Sequence, residues 1–284
     1  MIGQLIDIFK LRIGLFMVVA ALAGYAVTPG LVLTVPQMLA LALVTLAASG
    51  AAGAFNQYAE WDLDRLMTRT ASRPFVTGAV SRAAWWPWLI GAILVISVAL
   101  AAGLFNPLVA THLFLGAFFY GVVYTLWLKR RTPWNIVIGG ASGSFAVLVG
   151  ASAADPGLSA TSIALAVVLF LWTPPHFWAL AIAQREEYAK AGVPMLPVVR
   201  GDAATARVIL LNTLLLVAVS ISPVFFGMGW LYLAGALLGG GYFIYRSVIL
   251  WQAPSKQNAI RCFLASLVQL LVLMLVAILD AQVI

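Results

Sequence analysis

Asn56, Glu60 and Asp64 recur at every fourth position of the stretch Asn56-Gln-Tyr-Ala-Glu60-Trp-Asp62-Leu-Asp64-Arg65-Leu-Met-Thr-Arg69-Thr-Ala-Ser-Arg73-Pro74. At about 100° per residue, the three fall within an arc of roughly 80° on one helix face. Two carboxylates and an amide oxygen stacked in this way form a set of hard oxygen ligands. Mg²⁺ typically takes one or two carboxylates and leaves its other positions to water and phosphates, so it suits this set. Asp62 points away from the three if the helix stays regular. A solvated helix end, with Glu60 or Asp64 paired to Arg65 and Arg69, would show the same spacing. Chemistry is favoured by position. Asn56 and Glu60 follow directly on the small-residue run Ala47-Ala-Ser-Gly-Ala-Ala-Gly-Ala54, and ionisable groups near membrane depth are costly and mark function.

A second segment reads Trp172-Thr-Pro-Pro-His176-Phe-Trp178-Ala-Leu180 and runs on to Gln184-Arg-Glu186-Glu187-Tyr188. Pro174 and Pro175 are expected to break the helix and let it restart, with His176 in the first new turn. Glu187 then returns to within about 20° of the face of His176. A hydrogen-bonded packing histidine and a solvated Glu turn are the alternatives. A third segment, Tyr120-Gly-Val-Val-Tyr124-Thr-Leu-Trp-Leu-Lys129-Arg130-Arg131, ends on three consecutive cations. Such a run anchors topology; beside a diphosphate, Arg forks and a Lys point charge would also match its oxygens. The Gly139-Gly-Ala-Ser-Gly-Ser144 run has no strand before it, so it is no phosphate loop of the soluble kind. It permits close helix contact, or leaves room for a flat ligand.

The elements that must position these residues are membrane helices. The 284 residues are 63% hydrophobic and 9% charged, with mean hydropathy +1.04. That is too little polar surface for a soluble domain of this length. Each crossing of the hydrocarbon needs about 20 apolar residues. Such runs lie near 13–30, 37–59, 83–104, 107–128, 134–154, 160–183, 206–226, 230–249 and 260–282, which predicts an all-α protein of about nine spans in one domain, 1–284. No cleavable signal peptide is expected in the short amphipathic start. The single cysteine, Cys262, and the two histidines, His112 and His176, exclude an intramolecular disulfide and Cys- or His-rich metal clusters.

With nine spans, all 16 Lys and Arg residues fall on one side of the membrane, while the connections at 30–36, 104–107, 154–160 and 227–230 have none. That asymmetry predicts a cytoplasmic N-terminus and a C-terminus on the opposite side. Seven of the nine acids (Asp7, Glu60, Asp62, Asp64, Glu186, Glu187 and Asp202) share the basic side. Acids contribute little to topology, so their gathering there asks for another cause. Long polar connections on one face are where a multi-span protein carries chemistry.

Three motifs then become recognisable. Asn56-x₃-Glu60-x₃-Asp64-x₂-Met67-x-Arg69-Thr70-x₂-Arg73-Pro74 resembles the first acidic motif of the intramembrane aromatic prenyltransferase superfamily. Tyr124 to Pro133 with Asn135-Ile-Val-Ile-Gly-Gly140, and Trp172 to Leu180 with Ala191-Gly-Val-Pro-Met-Leu-Pro-Val-Val-Arg-Gly201, resemble its haem O synthase (protohaem IX farnesyltransferase) branch. The resemblance runs from about residue 50 to 201, in order and at matching spacing. Glu60 stands where Asp is common, Glu186-Glu187 where the branch tends to Asp-Asp, and Phe145-Ala-Val-Leu-Val-Gly150 where it often has Pro-Pro.

The resemblance implies a nine-span helical fold, and Mg²⁺-dependent transfer of farnesyl from farnesyl diphosphate to a vinyl group of haem B. It places the enzyme in a bacterial-type inner membrane with the motifs toward the cytoplasm. It implies no nucleic-acid partner; haem A synthase or terminal oxidase assembly would lie downstream. On that reading Asn56, Glu60 and Asp64 hold the metal, and Arg69, Arg73, Lys129 and Arg130 neutralise the diphosphate. Tyr120, Tyr124 and Trp178 shield the allylic cation. His176 contacts haem or orients the added water, with Glu187 beside the acceptor. A relative using a quinone-precursor acceptor, a transporter, or a non-catalytic haem-handling protein are the competing readings. Acids clustered at one face, rather than at the midplane, favour the enzyme over the transporter.

Overall fold

The computed structural model describes residues 2–283, which are helices joined by turns, with no strand among them. Eight helices are long and apolar enough to cross a membrane, and a ninth apolar helix is shorter. In chain order the elements are α1 (Ile2–Ile8), α2 (Leu11–Ala26), α3 (Val35–Ala59), the single turns α4 (Trp61–Asp64) and α5 (Pro74–Thr77), and α6 (Trp86–Leu104). Then come α7 (Pro107–Phe118), which continues as a π-helix over Phe119–Leu128, α8 (Asn135–Gly139), α9 (Ala141–Ala154) and α10 (Ala160–Ala183). α11 (Arg185–Lys190), α12 (Leu196–Arg200), α13 (Asp202–Ile221), α14 (Trp230–Gln252) and α15 (Lys256–Asp280) complete the chain. The nine spans expected from hydropathy are these helices, with α2 the short one.

The helices form two packed groups. α2, α3, α6, α7 and α9 lie together, as do α10, α13, α14 and α15, and the groups meet where α9 packs on α10 and α15 on α2. Lipid supplies no hydrophobic drive between helices, so close backbone approach must supply the contact. It is greatest between α2 and α9. A Cβ on Gly24 would lie 2.0 Å from the Val147 carbonyl oxygen, and one on Gly150 only 1.7 Å from that of Ala21.

The outer surface is apolar, as lipid requires: Leu39, Leu43, Val95, Ile96, Leu211 and Leu238 are exposed along the spans. Trp85, Trp88, Trp127, Trp134 and Trp251 are exposed near one set of helix ends, and Trp230 and Phe225 at the other, as in the aromatic belts of membrane interfaces.

The connections without basic residues are short and capped. Asn106 Oδ1 accepts from the amides of Leu108 and Val109 at 3.0 Å, and Ser159 Oγ from Ser162. α14 borrows its cap. The Asp280 carboxylate, at the end of α15, accepts from Gly229 N at 2.5 Å and Tyr232 N at 3.1 Å. Orphan amides at these helix starts are satisfied within the protein.

Two local expectations fail. α10 runs unbroken through Pro174 and Pro175. Tight neighbours hold it: Trp172 Nε1 donates to the Ser266 carbonyl at 2.8 Å, and Thr173 Oγ1 to that of Leu169 at 3.0 Å. Proline inside a membrane helix is tolerated where neighbouring helices and Ser/Thr side chains brace the segment around it. The helix ends instead at Ala183, and Gln184 (φ −118°, ψ 25°) turns the chain into α11. Glu187 is therefore on a separate helix, and the angular count from His176 does not apply.

Candidate active site

α3 ends at Ala59, and Glu60 adopts φ −98°, ψ 14° before the single turn of α4. The bend does not lose the register, because Glu60 N donates to the Asn56 carbonyl at 2.9 Å and Asp64 N to that of Glu60 at 2.8 Å. Asn56, Glu60 and Asp64 are all buried and line one cavity of about 480 Å³. Asp62 turns outward, as its spacing predicts, and forms a two-pronged pair with Arg130 at 2.7 and 2.8 Å.

Each of the three inward oxygens meets one cation. Lys10 Nζ is 2.5 Å from Asn56 Oδ1, Lys129 Nζ is 2.5 Å from Glu60 Oε2, and Arg73 Nη1 is 2.5 Å from Asp64 Oδ2. The Asn56 amide nitrogen donates to Thr125 Oγ1 at 2.9 Å, which orients the carboxamide with its oxygen toward Lys10. Glu60 Oε1 is buried without any hydrogen-bond partner.

The wall opposite α3 comes from the π-helical end of the fourth span. Its bonds reach back five residues, as from Lys129 N to the Tyr124 carbonyl at 2.9 Å, so residues four and five apart stay on one stripe. Tyr120, Tyr124 and Lys129 occupy that stripe and line the cavity, the two rings stacked 5.8 Å apart. A regular α-helix would swing Lys129 well away from the face of Tyr124. π-helical segments are rare and occur frequently at functional sites.

Burial works most strongly against the charge on Lys129, but the charge and hydrogen bond of Glu60, with Tyr188 and Tyr120, together raise its pKa. Lys10 has no such full compensation. Burial, then the nearby Arg73 guanidinium, pull it down to about 7. The hydrogen bonds of Arg130 hold the Asp62 carboxyl below its usual range.

The cavity gathers most, not all, of the residues expected at the site. Arg69, Arg73 and Lys129 line it, with Tyr120 and Tyr124; Arg130 does not, because Asp62 holds it on the outside. Trp178 is buried among protein, against Trp134, and is absent from the lining. His176 also lies elsewhere. Its ring is sandwiched between Trp172 and Phe263, with centroids 4.1 and 4.4 Å away, and its Nδ1 is 2.7 Å from Ser266 Oγ on α15. Glu187 faces outward and accepts from the backbone amide and, at 3.1 Å, the hydroxyl of Thr68. That bond lowers its pKa and ties the connection after α10 to the one after α4. Gly139 lies against Tyr124 and Gly140 against Thr173, so the glycine run serves close contact.

Sequence reasoning missed Lys10, Arg12, Asp7 and Gln57, all of which line the cavity. Lys10 reads as a topological charge until the fold brings it to Asn56. The one local signal is its position between two apolar segments, where it adopts a left-handed φ of 48°.

The residues fit a hard divalent cation. Glu60 Oε1 is an unpartnered buried oxygen, and the donor set of two carboxylates and one carboxamide leaves coordination positions for water and phosphate. Among the described residues no three His, Cys, Asp or Glu side chains converge, so an all-protein cage is not what this site offers.

Comparison with known proteins gives a consistent result. The UbiA prenyltransferase family matches residues 17–272. Protoheme IX farnesyltransferase 2 of Paramagnetospirillum magneticum is 56% identical over 270 residues, 95% of this chain and 94% of the relative. Protoheme IX farnesyltransferase 1 of the same organism is 44% identical over 281 residues, 98% of each chain. Among solved structures, one giving insight into digeranylgeranylglyceryl phosphate synthase in membranes aligns with TM-score 0.82 at 18% identity, over 100% of this chain and 99% of that one. A UbiA homologue from Archaeoglobus fulgidus bound to DMAPP and Mg²⁺ aligns with TM-score 0.71 at 17% identity, over 95% and 99%. At such identities the structures establish the shared fold.

Proposed function

Because this chain belongs to the UbiA prenyltransferase family, we propose that it acts as a protohaem IX farnesyltransferase: farnesyl moves from farnesyl diphosphate to a vinyl group of haem B, water adds to the resulting cation with loss of a proton, and haem O and diphosphate result. It is an integral membrane enzyme, and its whole-length similarity to two protoheme IX farnesyltransferases supports this acceptor over a quinone precursor. The positive-inside asymmetry supports a site that faces the cytoplasm, and the bacterial source of these relatives supports an inner membrane. Haem O would pass to haem A synthase or to terminal oxidase assembly.

The observation that carries the donor half of the reaction is Glu60. Its Oε1 is buried and unpartnered in a cavity that Lys10, Arg12, Arg69, Arg73 and Lys129 also line. Asn56, Glu60 and Asp64 would hold Mg²⁺, which when bound supplies charge stabilisation to the leaving diphosphate. Arg69, Arg73, Lys129 and Lys10 would take the remaining oxygens. Charge builds on the diphosphate as the allylic C–O bond breaks, and cations already aimed there lower the barrier without reorganising water. The stacked faces of Tyr120 and Tyr124 border the same space and can shield the allylic cation. The farnesyl tail lies among apolar helices.

For the acceptor half, His176 is the candidate on α10. Its Nδ1 is committed to Ser266 and its ring is fixed by Trp172 and Phe263, leaving Nε2 as the ring nitrogen for haem or water. Asp64→Asn tests the donor half. The reading expects a folded protein with farnesyl transfer reduced at least about 10²-fold; undiminished transfer would remove Asp64 from the metal site.

A further inference from the structure

Each residue that would hold a divalent cation already has a resident cation on one of its oxygens, with Glu60 Oε1 left free. Lys10 comes from the α1–α2 junction, Arg73 from the segment before α5 and Lys129 from the end of the fourth span, and each ends 2.5 Å from its own ligand oxygen. The Arg73–Asp64 and Lys129–Glu60 side chains are 15% and 5%, and 13% and 2%, exposed, so solvent screens neither pair well. Lys10 takes φ 48°, ψ 42°, a region an L residue enters only at a cost, and this bend aims its ammonium at Asn56 and Tyr120.

The charge count sets the consequence. Three acids, Asp7, Glu60 and Asp64, share the cavity with five basic side chains, Lys10, Arg12, Arg69, Arg73 and Lys129. A metal ion arriving alone has to push aside the resident cations and join a cluster already in positive excess. A diphosphate reverses that balance, and its oxygens offer the displaced Lys and Arg groups better partners than water.

Building on the donor-site reading above, we propose that Lys10, Arg73 and Lys129 are resident counter-ions of the metal ligands. They exchange onto the diphosphate when it enters, so metal and diphosphate bind together and each is held weakly alone. Coupling of this kind is reciprocal: whatever factor the diphosphate adds to metal affinity, the metal adds to diphosphate affinity.

The test is metal binding and needs no turnover. Mn²⁺, a paramagnetic stand-in for Mg²⁺, is titrated onto the purified full chain in detergent, and free and protein-bound ion are read by electron paramagnetic resonance. Wild type is expected to bind Mn²⁺ weakly alone and to show a protein-bound spectrum on adding inorganic pyrophosphate. Lys10→Met, Arg73→Met and Lys129→Met, each checked for a retained unfolding transition, are expected to bind Mn²⁺ alone at least about tenfold more tightly than wild type. The wild-type comparison with and without pyrophosphate needs no variant, so it stands if one of these fails to fold. Wild type binding Mn²⁺ alone as tightly as with pyrophosphate, or as tightly as the variants, would overturn the exchange while leaving the metal site intact. No protein-bound Mn²⁺ under any condition would overturn the metal-site reading, and the exchange with it.

Discussion

Lys10 Nζ donates to Asn56 Oδ1 at 2.5 Å and to Tyr120 Oη at 3.0 Å, joining the entrance of the first span to the second and fourth. The contact makes Lys10 part of the donor site, although nothing in its immediate sequence marks it. Lys10→Met is expected to raise KM for farnesyl diphosphate about tenfold, the loss of one charge-assisted contact to phosphate. Initial rates against farnesyl diphosphate at saturating haem B and Mg²⁺ check this. An unchanged KM would return Lys10 to a topological role.

Glu60 and Lys129 separate stability from chemistry. Glu60→Gln leaves a buried ammonium without its counter-charge, a loss that typically costs about 3–5 kcal/mol. The unfolding temperature of the detergent-solubilised protein should drop. Glu60→Gln combined with Lys129→Gln should recover much of that loss and yet remain at least about 10²-fold impaired in farnesyl transfer. Recovery of transfer together with stability would mean that Glu60 serves only the ion pair.

Glu187 predicts a pH dependence. Its carboxylate accepts from Thr68, and that bond depresses its folded pKa below the ordinary value of 4.5. The tie is therefore fully present above that value and is lost as pH falls through the folded pKa. Hydrogen exchange of the Thr68 amide, measured relative to its intrinsic rate, should be protected at neutral pH and lose protection on acidification. Glu187→Gln should lower the protection at neutral pH and remove its dependence on acid.

The pattern of what could be read from sequence follows from the range of each force. Spans depend on local hydropathy, so all nine apolar helices were legible. The Asn56, Glu60 and Asp64 register was legible because hydrogen bonds four residues apart persist through the bend at Glu60. Lys10 on Asn56 and Arg130 on Asp62 join residues 46 and 68 positions apart, and no helical period reports such pairs. The π-helix that aims Tyr124 and Lys129 together has no pattern of its own in the sequence. Pro174 and Pro175 misled because the contacts that carry α10 through them come partly from α15. His176 was found by residue type; its orientation toward Ser266 belongs to packing.

The α2–α9 contact yields a prediction about folding. A side chain on Gly150 would collide with the backbone oxygen of Ala21 at 1.7 Å, and backbone cannot swing aside as a flexible side chain can. Gly150→Val should exceed the usual overpacking cost of about 1–3 kcal/mol and leave little folded protein in detergent. Gly91→Val, at a position with open space around its Cβ, should express as wild type. Size-exclusion profiles of the two variants make the comparison.

The most direct test of the central claim is the mass of haem recovered after purified protein is incubated with haem B, farnesyl diphosphate and Mg²⁺. The account predicts haem O, heavier than haem B by a farnesyl group and a hydroxyl group, formed only with all three present. It also predicts loss of that product with Asp64→Asn. Haem B recovered unchanged from folded, metal-supplied protein, or the farnesyl group found on an aromatic acid offered in its place, would contradict it.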